Sequence, residues 1–214
     1  MKVNNAVKWI LVWLLALLIT AGAMIYQHFT GPTKPKRVEL MTNEGDLYKI
    51  KLPRSHGGTR DCEISLLIPD TAVAGVLFYR TFPTNDAWES SPLVRKQDSL
   101  IGFLPNQPPA GKLEYYLTLH KLSEEHVMPM GEKVIIRFRG DVPAGIIIPH
   151  ASLMFISMLL SNLTLLLAIF GFRQYRLYGY ITTAVLFVGG LILGPLVQKY
   201  AFGQLWTGIP VGYD

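Results

Sequence analysis

Three long apolar runs without a charged side chain constrain this chain more than any other feature. They cover residues 9–26, 151–172 and 177–197, which are 18, 22 and 21 residues long. An α-helix needs roughly 20 such residues to cross the hydrocarbon core of a bilayer, which is about 30 Å thick. Continuous apolar runs fit helices, because the strands of a membrane barrel alternate in polarity. The sequence therefore predicts three transmembrane helices in a lipid bilayer.

The placement of basic residues predicts the orientation of these helices. The segments before the first run and between the last two carry basic residues and no acidic ones: Lys2, Lys8, Arg173 and Arg176. Such an excess of Lys and Arg is typical of cytoplasmic segments. We therefore expect a bacterial inner-membrane protein whose N-terminus is cytoplasmic and whose residues 28–148 lie in the periplasm.

The net charge of +5 does not indicate a nucleic-acid partner. Of the 20 basic and 15 acidic residues, 15 and 14 fall within residues 27–148, so that region is nearly neutral. The excess of basic over acidic residues lies beside the apolar runs instead. No nucleic acid is expected among the partners, which we predict to be the bilayer and membrane-protein subunits, or a second copy of the chain.

The first apolar run has a second interpretation. The order "MKVNNAVK", "WILVWLLALLIT", "AGA" is also that of a secretory signal peptide with a small-residue cleavage site. The apolar character continues to Tyr26, so the run is long enough to span the bilayer, which favours an uncleaved anchor.

The single cysteine, Cys62, excludes an intrachain disulfide and a multi-cysteine metal site. It is expected to be a small buried residue.

The region between the first two runs reads as β-structure. Seven short strand-like segments alternate with turn signals such as "NEGD" and "PNQPPAG". The segments are residues 37–42, 46–52, 62–68, 75–82, 99–104, 112–120 and 133–140. Strands of this length and spacing predict an antiparallel β-sandwich. Ile146 to Ile148 is expected to form a further apolar strand that runs into Pro149 at the start of the second span.

These features divide the chain into four parts. We assign residues 1–27 to an N-terminal transmembrane anchor and 28–148 to an external β-sandwich. Residues 149–198 form a transmembrane helical hairpin, and 199–214 form an interfacial tail rich in aromatic residues and glycine. Gly203, Gly208, Pro210 and Gly212 should prevent that tail from continuing as a helix. A further span is expected beyond Asp214.

Part of the β-region resembles a known family. "GVLFYRTFPTNDAWESSPL…DSLIGFLPNQPPAGKLEYYLTL" is similar to immunoglobulin-like domains of the fibronectin-III or early-set kind. The positions that carry the similarity are Tyr79, Arg80, Trp88, Pro105, Pro109, Glu114 and Tyr115. The resemblance implies an immunoglobulin-like sandwich inserted between helix 1 and the hairpin. The whole chain resembles uncharacterised bacterial envelope membrane proteins that carry such a domain, which implies a location and no activity.

Small and polar residues mark expected helix-packing positions in the second and third spans. Small residues let helix backbones approach closely, and polar ones can hydrogen-bond between helices. The positions are Gly189, Gly190, Gly194, Ser157, Ser161 and Asn162. The glycines are expected to serve either the hairpin or a partner protein.

A stripe of possible metal ligands follows the second span. His150, Met154, Met158 and Asn162 recur every four residues, so they share one side of a helix. His150 with Met154 or Met158 could ligate haem iron or copper. The alternative is that the stripe makes helix contacts and that His150 lies among lipid headgroups. No histidine occurs in the other two apolar runs, so a haem would borrow its second ligand from another subunit.

Two further candidate sites lie in the β-region. "HVMPM" places His126, Met128 and Met130 in a pattern that soft Cu(I) could use. Trp88 and Tyr116 could form an aromatic platform for a carbohydrate or peptide. The alternative for the first site is a solvated loop, and the expectation set against the second is that Trp88 and Tyr115 pack in the core of the sandwich.

The chain contains no recognisable catalytic, nucleotide-binding or multi-cysteine motif. We therefore expect a non-enzymatic accessory or assembly subunit of a larger membrane complex, without a cofactor or catalytic residues. The alternatives are a haem- or copper-carrying subunit of an electron-transfer complex, and a module that binds or senses an envelope polymer.

Overall fold

The structure is a computed structural model that describes residues 4–31, 33–41, 47–121 and 124–206. Its contacts divide the chain into two compact units. One contains Met1–Gly31 and Val142–Asp214, and the other is Pro32–Asp141. Within the described residues the first unit is helical and the second is built of strands. This confirms the prediction of apolar helices combined with a β-region.

Three helices among the described residues are long and apolar enough to cross a membrane. Helix α1 is Asn5–Thr30 and helix α2 is Ala144–Ile169, with 26 residues each. The third span, Tyr175–Phe202, consists of α3 (Tyr175–Leu186), a π-helical segment (Phe187–Leu193) and α4 (Gly194–Phe202). At about 1.5 Å per residue, each is longer than the hydrocarbon core. We therefore treat the chain as a membrane protein.

The start of the second span differs from the sequence prediction. Residues 146–148 were expected to form a strand, and this expectation is wrong: they lie in α2, which begins at Ala144 and contains Pro149. The backbone N–H of Ile147 donates to Pro143 O at 3.0 Å. A run of three isoleucines shows no periodicity, so the sequence does not distinguish a short buried strand from a helical segment here. Proline is tolerated inside membrane helices, where neighbouring groups satisfy the freed carbonyl.

The third span ends at Gly203, which caps α4 with a positive φ of 80°. Glycine adopts this left-handed conformation without a Cβ clash, so it is a common helix terminator. Gly203 was expected to stop the helix. Gly208, Pro210, Gly212 and Asp214, to which the tail prediction also applied, lie outside the described residues.

The β-unit contains eleven strands within its described residues. They are β1 Lys36–Met41, β2 Leu47–Leu52, β3 Ser55–Gly57, β4 Cys62–Leu67, β5 Ala74–Thr81, β6 Glu89–Pro92, β7 Val94–Lys96, β8 Ser99–Leu104, β9 Lys112–Lys121, β10 Glu124–Met128 and β11 Val134–Arg139. All seven predicted segments overlap strands. The four strands that the sequence did not indicate, β3, β6, β7 and β10, are three to five residues long.

The strands form three sheets. One is the β1–β2 pair, one has the order β4-β8-β7, and the largest has the order β3-β11-β9-β5-β6 with β10 also paired to β9. Among the described residues every pairing is antiparallel except that of β3 with β11, which is parallel, with Arg137 opposite Ser55. The sequence predicted only antiparallel pairing. Strands β3 and β11 are about 80 residues apart in the chain, and no local pattern indicates a pairing across that distance.

A single apolar core draws side chains from all three sheets. It contains Leu40 and Ile50 from β1 and β2, Ile64 from β4, and Leu77 and Leu117 from the large sheet. Cys62 is part of this core and is 3% exposed, as expected. Burial, with the charge of Glu63, raises the pKa of its thiol to about 11. The thiol is therefore protonated and shielded in the folded chain.

A charge pair stabilises the turn between β4 and β5. Lys121 Nζ lies 2.8 Å from Asp70 Oδ2 and the Ala72 amide donates to Asp70 Oδ1 at 2.8 Å, and these bonds lower the pKa of Asp70 below its ordinary 3.8. A carboxyl group whose pKa is lower in the folded chain than in the unfolded chain stabilises the fold at pH values above its unfolded-state pKa. This stabilisation is lost as the pH falls through its folded-state pKa.

We expect Lys121→Met to raise the pKa of Asp70 and to destabilise the β-unit at about pH 7, but not at pH values well below 3.8, where the carboxyl is protonated in both states. Carboxyl NMR titration and denaturant unfolding of the full chain in detergent measure the two effects. Lys121→Arg, which keeps the positive charge, is the control. A stability difference that persists unchanged in acid would contradict the assignment.

Candidate functional site

The predicted ligand stripe of α2 lines a groove in the helical unit. The groove has a volume of about 520 Å³. Its lining residues from α2 are His150, Met154, Phe155, Ser157, Met158, Ser161 and Asn162, and those from the other helices are Gln27, Thr182 and Leu186. Six of these ten side chains are polar, although the surrounding helices are apolar. Polar side chains inside a membrane span are costly unless they find partners, so such a groove is a candidate functional site.

His150 is held at one end of the groove by a bond to the third span. Its Nδ1 lies 2.8 Å from the carbonyl oxygen of Gly189. A carbonyl oxygen only accepts hydrogen bonds, so Nδ1 carries the proton in this contact. In the neutral ring, Nε2 then holds the free lone pair. Metal-binding histidines commonly show this arrangement, with the second ring nitrogen donating to a backbone carbonyl.

The glycines of the third span allow this approach. A Cβ at Gly189 would lie only 2.8 Å from Leu153 Cβ, so any larger residue would push α2 away. A Cβ at Gly190 would lie 3.7 Å from Met154 Sδ, and one at Gly194 would lie 3.8 Å from His150 Cε1. The sequence left open whether these glycines serve the hairpin or a partner. In the structure all three face α2 of the same chain.

The bond from His150 meets the third span in its π-helical segment. Gly189 and Gly190 are the third and fourth residues of Phe187–Leu193. Wider i→i+5 turns are rare and occur frequently at functional sites. The sequence indicated only a continuous helix here, because no composition signal separates a single π-helical turn from α-helix.

The polar residues of α2 bond within the helical unit. Asn162 Nδ2 donates to Thr20 Oγ1 at 2.9 Å, which connects α2 to α1. Ser157 Oγ donates to Met154 O on its own helix at 2.9 Å, and the side chain is buried. Ser161 lines the groove and is exposed. Of the expected polar packing residues on α2, Asn162 therefore bonds to another helix through its side chain, and the Gly189 carbonyl accepts the other such bond, from His150.

Helices α1 and α3 meet through aromatic side chains. Trp9 and Trp13 of α1 lie 6.1 and 6.0 Å from the ring of Tyr178, and Trp9 also lies 5.5 Å from Phe172. Further along α1, Ala16 packs against leucine side chains of α2. These contacts use the N-terminal half of α1, whereas Gln27 near its C-terminal end lines the groove. The sequence did not indicate Gln27, Thr182 or Leu186, because nothing in it shows which faces of α1 and α3 point toward the stripe.

The predicted aromatic platform lies on one face of the largest sheet. Phe78 and Tyr116 are opposite each other on β5 and β9, and their rings stack with centroids 4.9 Å apart. Trp88 packs edge-on against Tyr116, also at 4.9 Å. Trp88 is half-buried and lies outside the apolar core, so the expectation that it packs in the core is wrong, whereas Tyr115 is fully buried. Alternation along β9 puts adjacent residues on opposite faces.

Two cations already lie over the platform. The Arg80 guanidinium and the Lys133 ammonium are 4.6 and 4.5 Å from the centroid of Trp88. Arg80 also donates from Nε to Glu114 on the neighbouring strand. Cation–π contacts stabilise such a cluster without any ligand. Binding of an envelope polymer at Trp88 and Tyr116 stays a prediction.

The "HVMPM" pattern places its two sulfurs in different surroundings. Met128 belongs to the apolar core and is 3% exposed, whereas Met130 is 85% exposed. His126 lies on β10 opposite Leu119. Among the described residues no three His, Cys, Asp or Glu side chains form a metal-binding group. The two sulfurs therefore differ sharply in exposure, and a Cu(I) site at His126, Met128 and Met130 stays a prediction.

Comparison of the chain with protein-family models, with curated proteins and with solved structures returns no match.

Proposed function

We propose that this chain is a non-enzymatic accessory or assembly subunit of a larger complex in the bacterial inner membrane. Its N-terminus would be cytoplasmic and its β-unit, as an immunoglobulin-like sandwich, periplasmic. The basic residues that flank the first two spans support this orientation. Strands with alternating burial, β4, β8 and β11, support the sandwich.

One observation carries the assembly role: the groove between the three spans is lined by polar side chains. Gln27 and Ser161 offer donors and acceptors within membrane-spanning helices, and lipid tails have no hydrogen-bonding groups to pair with them, whereas Thr182 already donates to Tyr178 O at 2.7 Å. Only 6% of the most apolar window of the third span is buried within the chain. A helix from a partner subunit that carries its own polar side chains would form hydrogen bonds with the polar side chains that line the groove.

Site-specific photo-crosslinking tests this role. A photoreactive amino acid at Ser161, in the groove, is expected to form a covalent adduct with a second protein in intact membranes. Ile156 is exposed on α2 but lies five positions away, about 140° around the helix, and is the matched control. It should react with lipid alone.

The mass of the adduct identifies the partner. A product of twice 24.0 kDa indicates a second copy of the chain, and any other mass a different subunit. Lipid adducts alone at both positions, or equal protein adducts at both, would overturn the assignment of the groove as the contact surface.

A second function is favoured by the contact between His150 and Gly189. Donation from Nδ1 leaves Nε2 able to ligate a metal, and Met154 and Met158 line the same groove. A haem- or copper-carrying subunit of an electron-transfer complex would use this ring. The optical spectrum and metal content of the purified full-length protein test this function.

A further inference from the structure

A second cavity of the helical unit lies at the ends of its apolar helices, and we call it the interfacial cavity. It has a volume of about 500 Å³ and is lined by Asn5, Lys8 and Trp9 of α1 and by residues 170–174, which join α2 to α3. Residues three and four apart on a helix are neighbours, so the three side chains of α1 share one face. Because α1 begins at Asn5 and α2 ends at Ile169, the cavity lies where the hydrocarbon layer gives way to lipid headgroups.

The interfacial cavity is positively charged and has no counter-ion of its own. Lys8 and Arg173 line it together with the side-chain amides of Asn5 and Gln174, and the lining contains no carboxylate. No Asp or Glu occurs among the described residues of the helical unit. An anion that pairs with the two cations therefore comes from outside these helices. Clefts lined by one sign of charge concentrate ions of the opposite sign.

The helix ends at this cavity add to its positive potential. Helices α1 and α3 both begin here, and the N-terminus of a helix carries a partial positive charge of about half a unit. The C-terminus of α2 has the opposite sign, but its last carbonyls accept hydrogen bonds from the chain. Leu166 O accepts from the Phe170 amide at 2.9 Å, and Ala168 O accepts from the Gly171 amide at 3.2 Å. The balance of the three helix ends therefore favours an anion.

Another part of the cavity wall is aromatic and is held in place by the fold. The rings of Trp9 and Phe172 meet edge to face with centroids 5.5 Å apart, and Trp9 also lies 6.1 Å from Tyr178. These contacts hold α1 against the segment that joins α2 to α3, so little conformational entropy is lost when a ligand binds. Phe170 also lines the cavity and is 58% exposed. A ligand that combines an anionic group with an apolar part matches both kinds of wall, whereas a free inorganic anion matches only the basic one.

We propose that the interfacial cavity binds the headgroup of one anionic phospholipid, with Lys8 and Arg173 paired to its phosphate and an acyl chain packed beside Phe170. Lys and Arg carry their charges on flexible stems of several carbons, so two such side chains that line one cavity can reach the same phosphate group. The guanidinium donates two parallel N–H bonds to phosphate oxygens, and the ammonium acts as a point charge. Basic pockets between transmembrane helices bind such headgroups in other proteins.

The inference goes beyond the assembly role and does not depend on it. It requires only that the apolar helices span a bilayer.

Titration of the full-length protein with defined lipids, followed by native mass spectrometry, tests the site. Protein in a mild detergent is expected to bind one phosphatidylglycerol. Phosphatidylcholine, which has the same phosphate and an added choline cation, should bind at least about fivefold more weakly. We expect Lys8→Gln and Arg173→Gln to weaken phosphatidylglycerol binding about fivefold each, and the double variant about 30-fold, which is the typical effect of one and of two basic side chains near an anionic lipid surface.

Arg176→Gln is the matched control. Arg176 lies three residues after Arg173 and its loss changes the net charge equally, but its Nε donates to Tyr175 Oη at 3.1 Å and it is not part of the cavity lining. Its affinity for phosphatidylglycerol should equal that of the unaltered chain. Lys8→Arg, which keeps the charge, should also retain the lipid. Gel filtration of each variant checks that the helices still fold.

Any one of four results would overturn the lipid site. The first is equal affinity for phosphatidylglycerol and phosphatidylcholine, or no adduct with either. The second is unaltered binding in Lys8→Gln/Arg173→Gln. The third is an equal loss in Arg176→Gln, which would indicate surface charge in general. The fourth is displacement of the lipid by an equal concentration of inorganic phosphate, which would assign the cavity to a free anion. The crosslink at Ser161 is decided separately.

Discussion

Replacing Tyr115 by alanine is expected to lower the free energy of unfolding of the β-unit by about 4 kcal/mol, since truncation of a large buried aromatic residue typically costs 3–5 kcal/mol. Tyr115 is the largest fully buried side chain among the described residues. Its hydroxyl donates to Pro53 O at 2.8 Å, and burial raises its pKa. The substitution removes the apolar ring and leaves the Pro53 carbonyl without this donor.

The single cysteine supplies the measurement. Cys62 belongs to the same core, and its raised pKa keeps the thiol protonated in the folded chain. A thiol reagent therefore reacts when the β-unit opens, and the labelling rate follows the population of the open form. Each 1.36 kcal/mol changes an equilibrium about tenfold. Tyr115→Ala should accelerate labelling by about 1,000-fold.

Two variants control this result. Tyr115→Phe keeps the ring and removes only the hydroxyl, so it should cost about 1–2 kcal/mol. Tyr116→Ala removes a tyrosine that lies on the opposite face of β9 and is itself only half-buried, so it should have a far smaller effect than Tyr115→Ala. Equal acceleration by Tyr115→Ala and Tyr116→Ala would show that the two faces of β9 have been assigned wrongly.

Removing Glu114 is expected to have the second-largest effect, about 3 kcal/mol in Glu114→Ala. Glu114 and Arg80 form an ion pair whose side chains are only 12% and 21% exposed. Breaking a buried pair from one side leaves an uncompensated charge, which typically costs 3–5 kcal/mol. We take the lower end because Arg80 also contacts Trp88 and remains partly hydrated.

Cys62 labelling measures this effect as well, with an expected acceleration of about 100-fold or more. The double variant Arg80→Met/Glu114→Leu removes both charges and should recover most of the loss, since paired apolar replacement is often neutral. Glu132→Ala is the matched control, because its bridge to Lys36 is exposed at the carboxylate end. It should leave labelling close to the wild-type rate. If the double variant is no more stable than Glu114→Ala, the loss does not come from an unpaired charge.

Much of the β-unit was predictable because its strands show a period of two. Along β9 the sequence separates Leu113, Tyr115, Leu117 and Leu119 from the residues between them, and the structure buries those four. It also buries Glu114 and Thr118 on the other face of β9, which the sequence did not indicate. On β11, Val134, Ile136 and Phe138 are buried on one face as the sequence predicted. One face of each of these strands meets the core, so the apolar positions alternate.

The pairing of distant segments was not predictable. The parallel contact of β3 with β11 and the position of Trp88 beside Tyr116 both depend on which strands become neighbours. The groove has the same origin: α2 shows its stripe in the sequence, but Gln27 and Thr182 join it only through the packing of three helices. Sequence periodicity reports the faces of one element and carries no information about its neighbours.

The amino-acid sequence by itself determined three apolar spans, seven strands, the apolar faces of β9 and β11 and a stripe of His and Met on one helix, because each of these is a property of a continuous segment. Only the tertiary structure decided that Gly189 meets His150, that a π-helical turn interrupts the third span and that Arg80 pairs with Glu114 while contacting the ring of Trp88. Those features arise where residues far apart in the chain come into contact, and the contact is set by packing of whole elements.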